Sequence, residues 1–164
     1  MIKPERLVDL SEFEQKAAAL ASQIEKGKYD IILCVTGWGM HLSYYLSKAL
    51  HIPKITNVNF QSYDTKTHIK KKSEFIDGPW EFDIDDLNVL IVDDLIDKWW
   101  TLNDIMDQYY EMHDKNKALD IAVLFTKADH GFVNKPGVNI YAVEKDLPRE
   151  WIEFYYEKPF ATDK

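Results

Sequence analysis

Three aspartates follow a short apolar run in "NVLIVDDLIDKWWTL": Asp93 and Asp94 come directly after Val89–Val92, and Asp97 three residues on from Asp94. Carboxylates packed this closely repel one another and cost stability unless something compensates them. Sugar hydroxyls, Mg²⁺ or a substrate proton each meet that need. A plainer alternative stands beside these. Acids also decorate helix N-termini, where the helix dipole favours them, and "TLNDIMDQYYEMH" reads as a helix beginning just past the cluster. Two further residues stand out. Lys127 ends the apolar "AVLFTKA", and Trp151 opens the alternating "WIEFYYE". Taken singly, the first reads as a surface lysine and the second as a core tryptophan.

The elements that would position these side chains follow from periodicity. "SEFEQKAAALASQIEKGK" reads as a helix with Phe13, Ala17, Leu20 and Ile24 on one face. Ser11 is its expected cap, Glu14 closes a capping box and Gly27 ends it. "YDIILCV", "ITNVNF", "LNVLIV", "LDIAVLF" and "VNIYAV" read as strands, and "GMHLSYYLSKAL" as a second helix with Leu42, Leu46 and Leu50 at spacing four. Strands alternating with helices predict an α/β fold, with a mainly parallel central sheet flanked by helices on both faces. In such sheets ligands bind beyond the carboxyl ends of the strands, which is where the acidic run would fall. The polar stretch from Gln61 to Lys72 predicts a long, mobile loop, and the tail "WIEFYYE" a strand end or a docking segment.

Composition narrows the classes. One domain over residues 1–164 is expected, with no linker or repeat. Acidic residues number 28 against 20 basic ones, a net charge of −8. That balance weighs against a nonspecific nucleic-acid binder, which needs a basic surface to displace counterions. The local run "KTHIKKK" reads first as a solvated loop. No apolar stretch approaches the ~18 residues of a membrane span, and "MIKPERLVDLSEFEQ" lacks the apolar centre of a signal peptide. A single cysteine, Cys34, excludes an internal disulfide and argues against a cysteine-based zinc site; it suits a cytoplasmic setting.

Taken whole, the run from Val89 to Thr101 resembles the phosphoribosyl pyrophosphate (PRPP) motif of type I phosphoribosyltransferases. Four apolar residues are followed by two acids, two apolar residues, Asp, a short loop and Thr opening a helix. Other landmarks follow in family order. "CVTGWGMHLSYYLSKALHI" takes the place of the pyrophosphate loop, with Thr36, Gly37 and Trp38. "FQSYD" resembles the start of the flexible active-site loop, with Ser62 and Tyr63. "AVLFTKA" and "EWIEFYYE" resemble the base-reading segments of the xanthine-guanine and hypoxanthine enzymes. The resemblance implies transfer of ribose 5-phosphate from PRPP to a 6-oxopurine, with release of pyrophosphate and with Mg²⁺ as cofactor. Asp93 and Asp94 would meet the ribose hydroxyls, Asp94 would help place the metal, and Asp97 would handle the proton of the base. Lys98, Trp99, Trp100 and Thr101 would hold the 5′-phosphate. Lys127, Trp151 and Ile152 would hold the purine, and part of the tail would form a small hood. A homodimer or homotetramer is implied.

Two segments depart from the family pattern, and both should bind phosphate. Small residues give way to Lys98, Trp99 and Trp100 in one loop. In the other a basic residue and a glycine give way to Gly37 and Trp38. Glycine lets backbone N–H groups approach phosphate closely, and a lysine does not replace a nest of such donors. The indoles are expected either to fill the phosphate cradle or to expose apolar surface, and PRPP is expected to bind poorly. An alternative function follows: a catalytically weak or inactive nucleotide-binding module, arising naturally or by engineering.

Overall fold

The computed structural model describes residues 6–63, 70–77, 86–97, 99–112, 117–128 and 137–157. Its elements run β1 (Arg6–Val8), α1 (Leu10–Ser22), β2 (Ile31–Val35), α2 (Gly39–Leu50), β3 (Lys54–Tyr63), β4 (Lys70–Asp77), β5 (Val89–Val92), β6 (Leu95–Ile96), α3 (Trp100–Met112), β7 (Leu119–Lys127), β8 (Ile140–Leu147) and β9 (Ile152–Phe154).

Among the described residues, seven strands share one sheet. Its order is β4-β3-β2-β5-β7-β6, and β8 also pairs with β7. The β3–β4 pair is antiparallel and the others are parallel. Burial on both faces accounts for the unbroken apolar runs of β2 and β5 and for the run 121–125 within β7. Alternation then divides the core in two. Ile32, Cys34, Leu90, Val92, Ala122 and Leu124 face α1 and α2, with Phe13, Leu20, Leu42 and Leu46. Ile31, Leu33, Val35, Val89, Ile91, Ile121 and Val123 face α3, with Leu102, Ile105, Met106 and Tyr109. The expected parallel α/β architecture is therefore present.

The hood is a separate two-stranded parallel sheet, in which β1 pairs with β9 in the register Arg6↔Ile152 and Val8↔Phe154. Its inner side chains, Val8, Ile152 and Phe154, are buried in the α1–α2 core. Arg6 places its guanidinium 4.9 Å from the ring centre of Phe125 and pairs with Glu12 and Glu144, each at 2.7 Å.

Several local expectations need correction. Asp9, not Ser11, caps α1: its Oδ1 accepts the Glu12 N–H at 2.8 Å. Asp presents the same acceptor two residues earlier, and the hood strand ends there. The helix stops at Ser22, so Gly27, at φ +82°, lies in the following turn. Ile24 stays buried beyond the helix end. Residues 61–63 complete β3 and residues 70–72 open β4, so an antiparallel hairpin occupies both ends of the expected loop; residues 64–69 lie outside the described residues.

Candidate functional site

Parallel strands deliver their carboxyl ends to one edge, and most of the singled-out residues stand there. The acid pair sits at a break in the ladder. Asp93 follows β5, and the chain then hugs β7 through the Asp94 carbonyl, which accepts the N–H groups of Leu124 (3.0 Å) and Phe125 (3.3 Å). It re-forms a strand as β6, pairing Leu95 with Phe125 and Ile96 with Thr126. Asp97 and Lys127 each come one residue beyond that last pair. This parallel register brings Lys127 Nζ to 3.0 Å from Asp97 Oδ1. Lys127 is only 8% exposed, against the plain expectation of a surface lysine.

Asp94 is buried at 5% exposure, and its Oδ2 accepts the Tyr156 hydroxyl at 2.7 Å. Asp93 is half-buried, and its Oδ1 accepts the Asp94 N–H at 2.9 Å. Burial pushes the Asp94 carboxyl up to about 6, with the nearby Glu157 charge adding to it and the Tyr156 hydroxyl opposing it. Burial and then the Asp94 charge push Asp93 well above the usual carboxylate range. Tyr156 moves far above the ordinary phenol range, through burial and then the Asp94 charge, so it stays a donor at neutral pH.

The loop after β2 closes over these acids. Thr36 gives both its N–H (2.9 Å) and its hydroxyl (2.8 Å) to the Val58 carbonyl. Gly37 follows at φ +101°, a conformation that strains any L side chain. At Gly39 a Cβ would stand 2.8 Å from the Val92 carbonyl oxygen. Only glycine lets α2 start this close to the end of β5. Trp38 is 51% exposed and stacks on Tyr156, with ring centres 6.0 Å apart and planes inclined by 22°.

Trp99 takes neither course expected of it. It is 7% exposed and belongs to the core on the α3 face, so the indole neither fills a phosphate cradle nor coats the surface. Its backbone, just before α3, stands at the helix N-terminus with the backbone of Trp100 and Thr101 in the first turn. Lys98 lies outside the described residues, and of Trp100, Ser62 and Tyr63 the backbone alone is described, at the start of α3 and the end of β3. Trp151 precedes β9 at 52% exposure, so it is not a core tryptophan; its carbonyl accepts the Arg6 N–H at 3.1 Å. The Ile152 side chain is buried in the hood core.

The structure thus joins Asp97 to Lys127, Asp93 to Gly39, and Asp94 through Tyr156 to Trp38. It adds two residues outside the expected site, Tyr156 and His41. The His41 ring lies 4.3 Å from Tyr156 at an interplanar angle of 8°. The signal in the sequence was the aromatic pair in "EFYYE", which reads as generic packing until its hydroxyl is seen on an acid. Among the described residues no group of three or more acids, histidines or cysteines is placed to hold a metal ion. A carboxylate pair, one buried and one half-buried, still fits Mg²⁺, which binds through one or two carboxylates together with substrate phosphates.

The sequence model of the phosphoribosyl transferase domain matches residues 4–154. A search of curated protein sequences gives no match. Among solved structures, the chain is similar to a purine phosphoribosyltransferase from Pyrococcus horikoshii: TM-score 0.73 and 23% identity, over 97% of this chain and 98% of that one. It is similar to the Helicobacter pylori xanthine-guanine-hypoxanthine phosphoribosyltransferase, with TM-score 0.69 and 26% identity over 93% and 94% of the two chains. It is also similar to a hypothetical protein from Neisseria gonorrhoeae with bound ppGpp, with TM-score 0.75 and 16% identity over 96% and 92%.

Proposed function

The chain belongs to the phosphoribosyl transferase family, and from that premise we propose that it transfers ribose 5-phosphate from PRPP to a 6-oxopurine: guanine, xanthine or hypoxanthine. The observation that carries the substrate assignment is the Lys127–Asp97 pair. A 6-oxopurine sets a carbonyl oxygen beside a ring N–H. A buried ammonium 3.0 Å from a carboxylate offers a donor and an acceptor in the same order.

In the reaction the C1′–oxygen bond to pyrophosphate breaks, pyrophosphate leaves with the bonding pair, and a ring nitrogen of the base attacks C1′. The base loses a proton, which Asp97 accepts. Lys127 fixes the 6-oxo group, while Trp151, with the backbone at Ile152, covers the base. Asp93 and Asp94 hold the ribose hydroxyls and face the positive charge that develops at the ribose. Thr36 to Trp38 border the pyrophosphate, and Lys98 to Thr101 the 5′-phosphate, at a helix start suited to anions. Bound Mg²⁺, held by Asp94 and substrate oxygens, would neutralise the pyrophosphate leaving group. We extend the proposal to a cytoplasmic homodimer or homotetramer, which sedimentation checks.

The deciding assay is PRPP-dependent nucleotide formation with each of the three bases and Mg²⁺. Product with at least one base supports the reading; none with any base refutes it. A nucleotide-binding module of weak or no activity is the second reading, favoured by the absence of a basic side chain at Gly37–Gly39. Under that reading a purine nucleotide, and not PRPP, shifts the tryptophan fluorescence.

A further inference from the structure

The Tyr156 side chain makes contact with three parts of the site at once. Its hydroxyl donates to Asp94 Oδ2 at 2.7 Å. One set of ring contacts ties it to the hood, through Phe154 at 5.3 Å and 6°. The others reach the loop and helix after β2, through Trp38 at 6.0 Å and His41 at 4.3 Å. Phe13 of α1 adds an edge contact at 5.9 Å. A second hydroxyl reinforces the docking, since Tyr155 reaches His41 Nδ1 at 3.3 Å.

We propose that Tyr156 is the positioning residue of Asp94, and that Trp38 serves in the pyrophosphate loop as the stacking face that fixes the Tyr156 ring. This rests on the phosphoribosyl-transfer reading and deepens it. A buried carboxylate with one oxygen fastened has one orientation left for a ribose hydroxyl. Orientation set in advance is what makes such a contact useful in a transition state. The stack also accounts for an indole where a small residue would be expected. Trp38 is a structural partner of the turn after β9, its ring held against Tyr156. Tyr156 acts through Asp94 and touches no reacting atom.

The test uses the full chain, with Mg²⁺, PRPP and whichever of the three bases it accepts. Tyr156→Phe keeps the ring and removes the hydroxyl. It is expected to lower kcat/KM for PRPP about tenfold, the effect of losing one hydrogen bond to a charged group, while KM for the base stays within about twofold. Trp38→Gly should move PRPP kinetics in the same direction by about threefold to tenfold, and the double variant should lose less than the product of the two because both act on one unit. Unchanged kinetics in Tyr156→Phe, or tighter PRPP binding in either variant, overturns the inference; tighter binding would mean that the aromatic turn obstructs the acids. A wild-type chain that neither binds PRPP nor makes nucleotide sinks the functional reading instead. The contact itself is then judged without ligand, by urea unfolding of Tyr156→Phe, Asp94→Asn and the double variant. Non-additive midpoints support the Tyr156–Asp94 link and strictly additive ones remove it.

Discussion

Trp99, Gly37, Lys127 and Asp94 each respond to mutation in a way that their surroundings dictate. Trp99 fills core on the α3 face of the sheet. Trp99→Ala is therefore expected to cost about 3–5 kcal/mol, measured from urea midpoints, with no improvement in PRPP binding. Restoring a cation by Gly37→Arg meets open space but a φ of +101°, so any gain in phosphate attraction is offset by about 1–3 kcal/mol of backbone strain. Lys127→Ala leaves Asp97 without its counter-charge. The expected result is a fall of roughly tenfold to a hundredfold in kcat/KM for the purine, with KM for PRPP little changed in steady-state assays. Asp94 carries the opposite trade. Its carboxyl is raised in the fold to about 6, so ionising it disfavours the native state as pH rises from about 4 to 6. Asp94→Asn removes that penalty. The variant should melt higher than wild type at pH 7.5, by an amount that shrinks toward pH 4, and should lose nucleotide formation.

At the scale of elements, the site depends on where α2 begins. The close approach of Gly39 to the Val92 carbonyl sets the loop against the acid pair. Gly39→Ala must push backbone away from backbone, at a cost of about 1–3 kcal/mol. A lowered thermal midpoint together with weaker PRPP binding is the expected signature. The strands and helices that make this edge were legible in the sequence, because buried parallel strands read as plain apolar runs and α2 repeats leucine every fourth residue. The acids and Lys127 were legible as a motif. Other features were not. The α1 cap went to Asp9 because a three-residue hood strand, too short to show a period, fixes where the helix starts. Trp99 is masked by its loop neighbours, since one step along the chain turns a side chain from the rim into the core. Tyr156 was hidden because aromatic residues near a chain end look like packing, and its role comes from a partner 62 positions away.

Over the whole molecule, one ionic group fastens the hood to the main sheet. Glu144 on β8 accepts from Arg6 on β1 and from Lys16 on α1. The Arg6 bonds lead, and the carboxyl drops from its usual 4.5 to about 2. A carboxyl lowered in the fold adds stability that is fully present above its unfolded value and is lost as pH falls through the folded one. Thermal midpoints of the wild type should thus decline from about pH 4.5 toward 2, and Glu144→Gln should be less stable at pH 7 while lacking this part of the decline. Lys16→Met is the companion variant and should weaken the same pH dependence only in part. The pairing of β1 with β9 also has a meaning for biosynthesis. Strand β9 and Tyr156 are translated after every other part of the site that the structure brings together. A nascent chain can lay down the sheet and both helical layers while Asp94 still waits for its partner. Tyr156 is then the last of these residues to be made, so the partner of Asp94 and the second hood strand arrive in the same stretch of synthesis, and a chain broken off before β9 would carry the acids without the tyrosine that holds one of them.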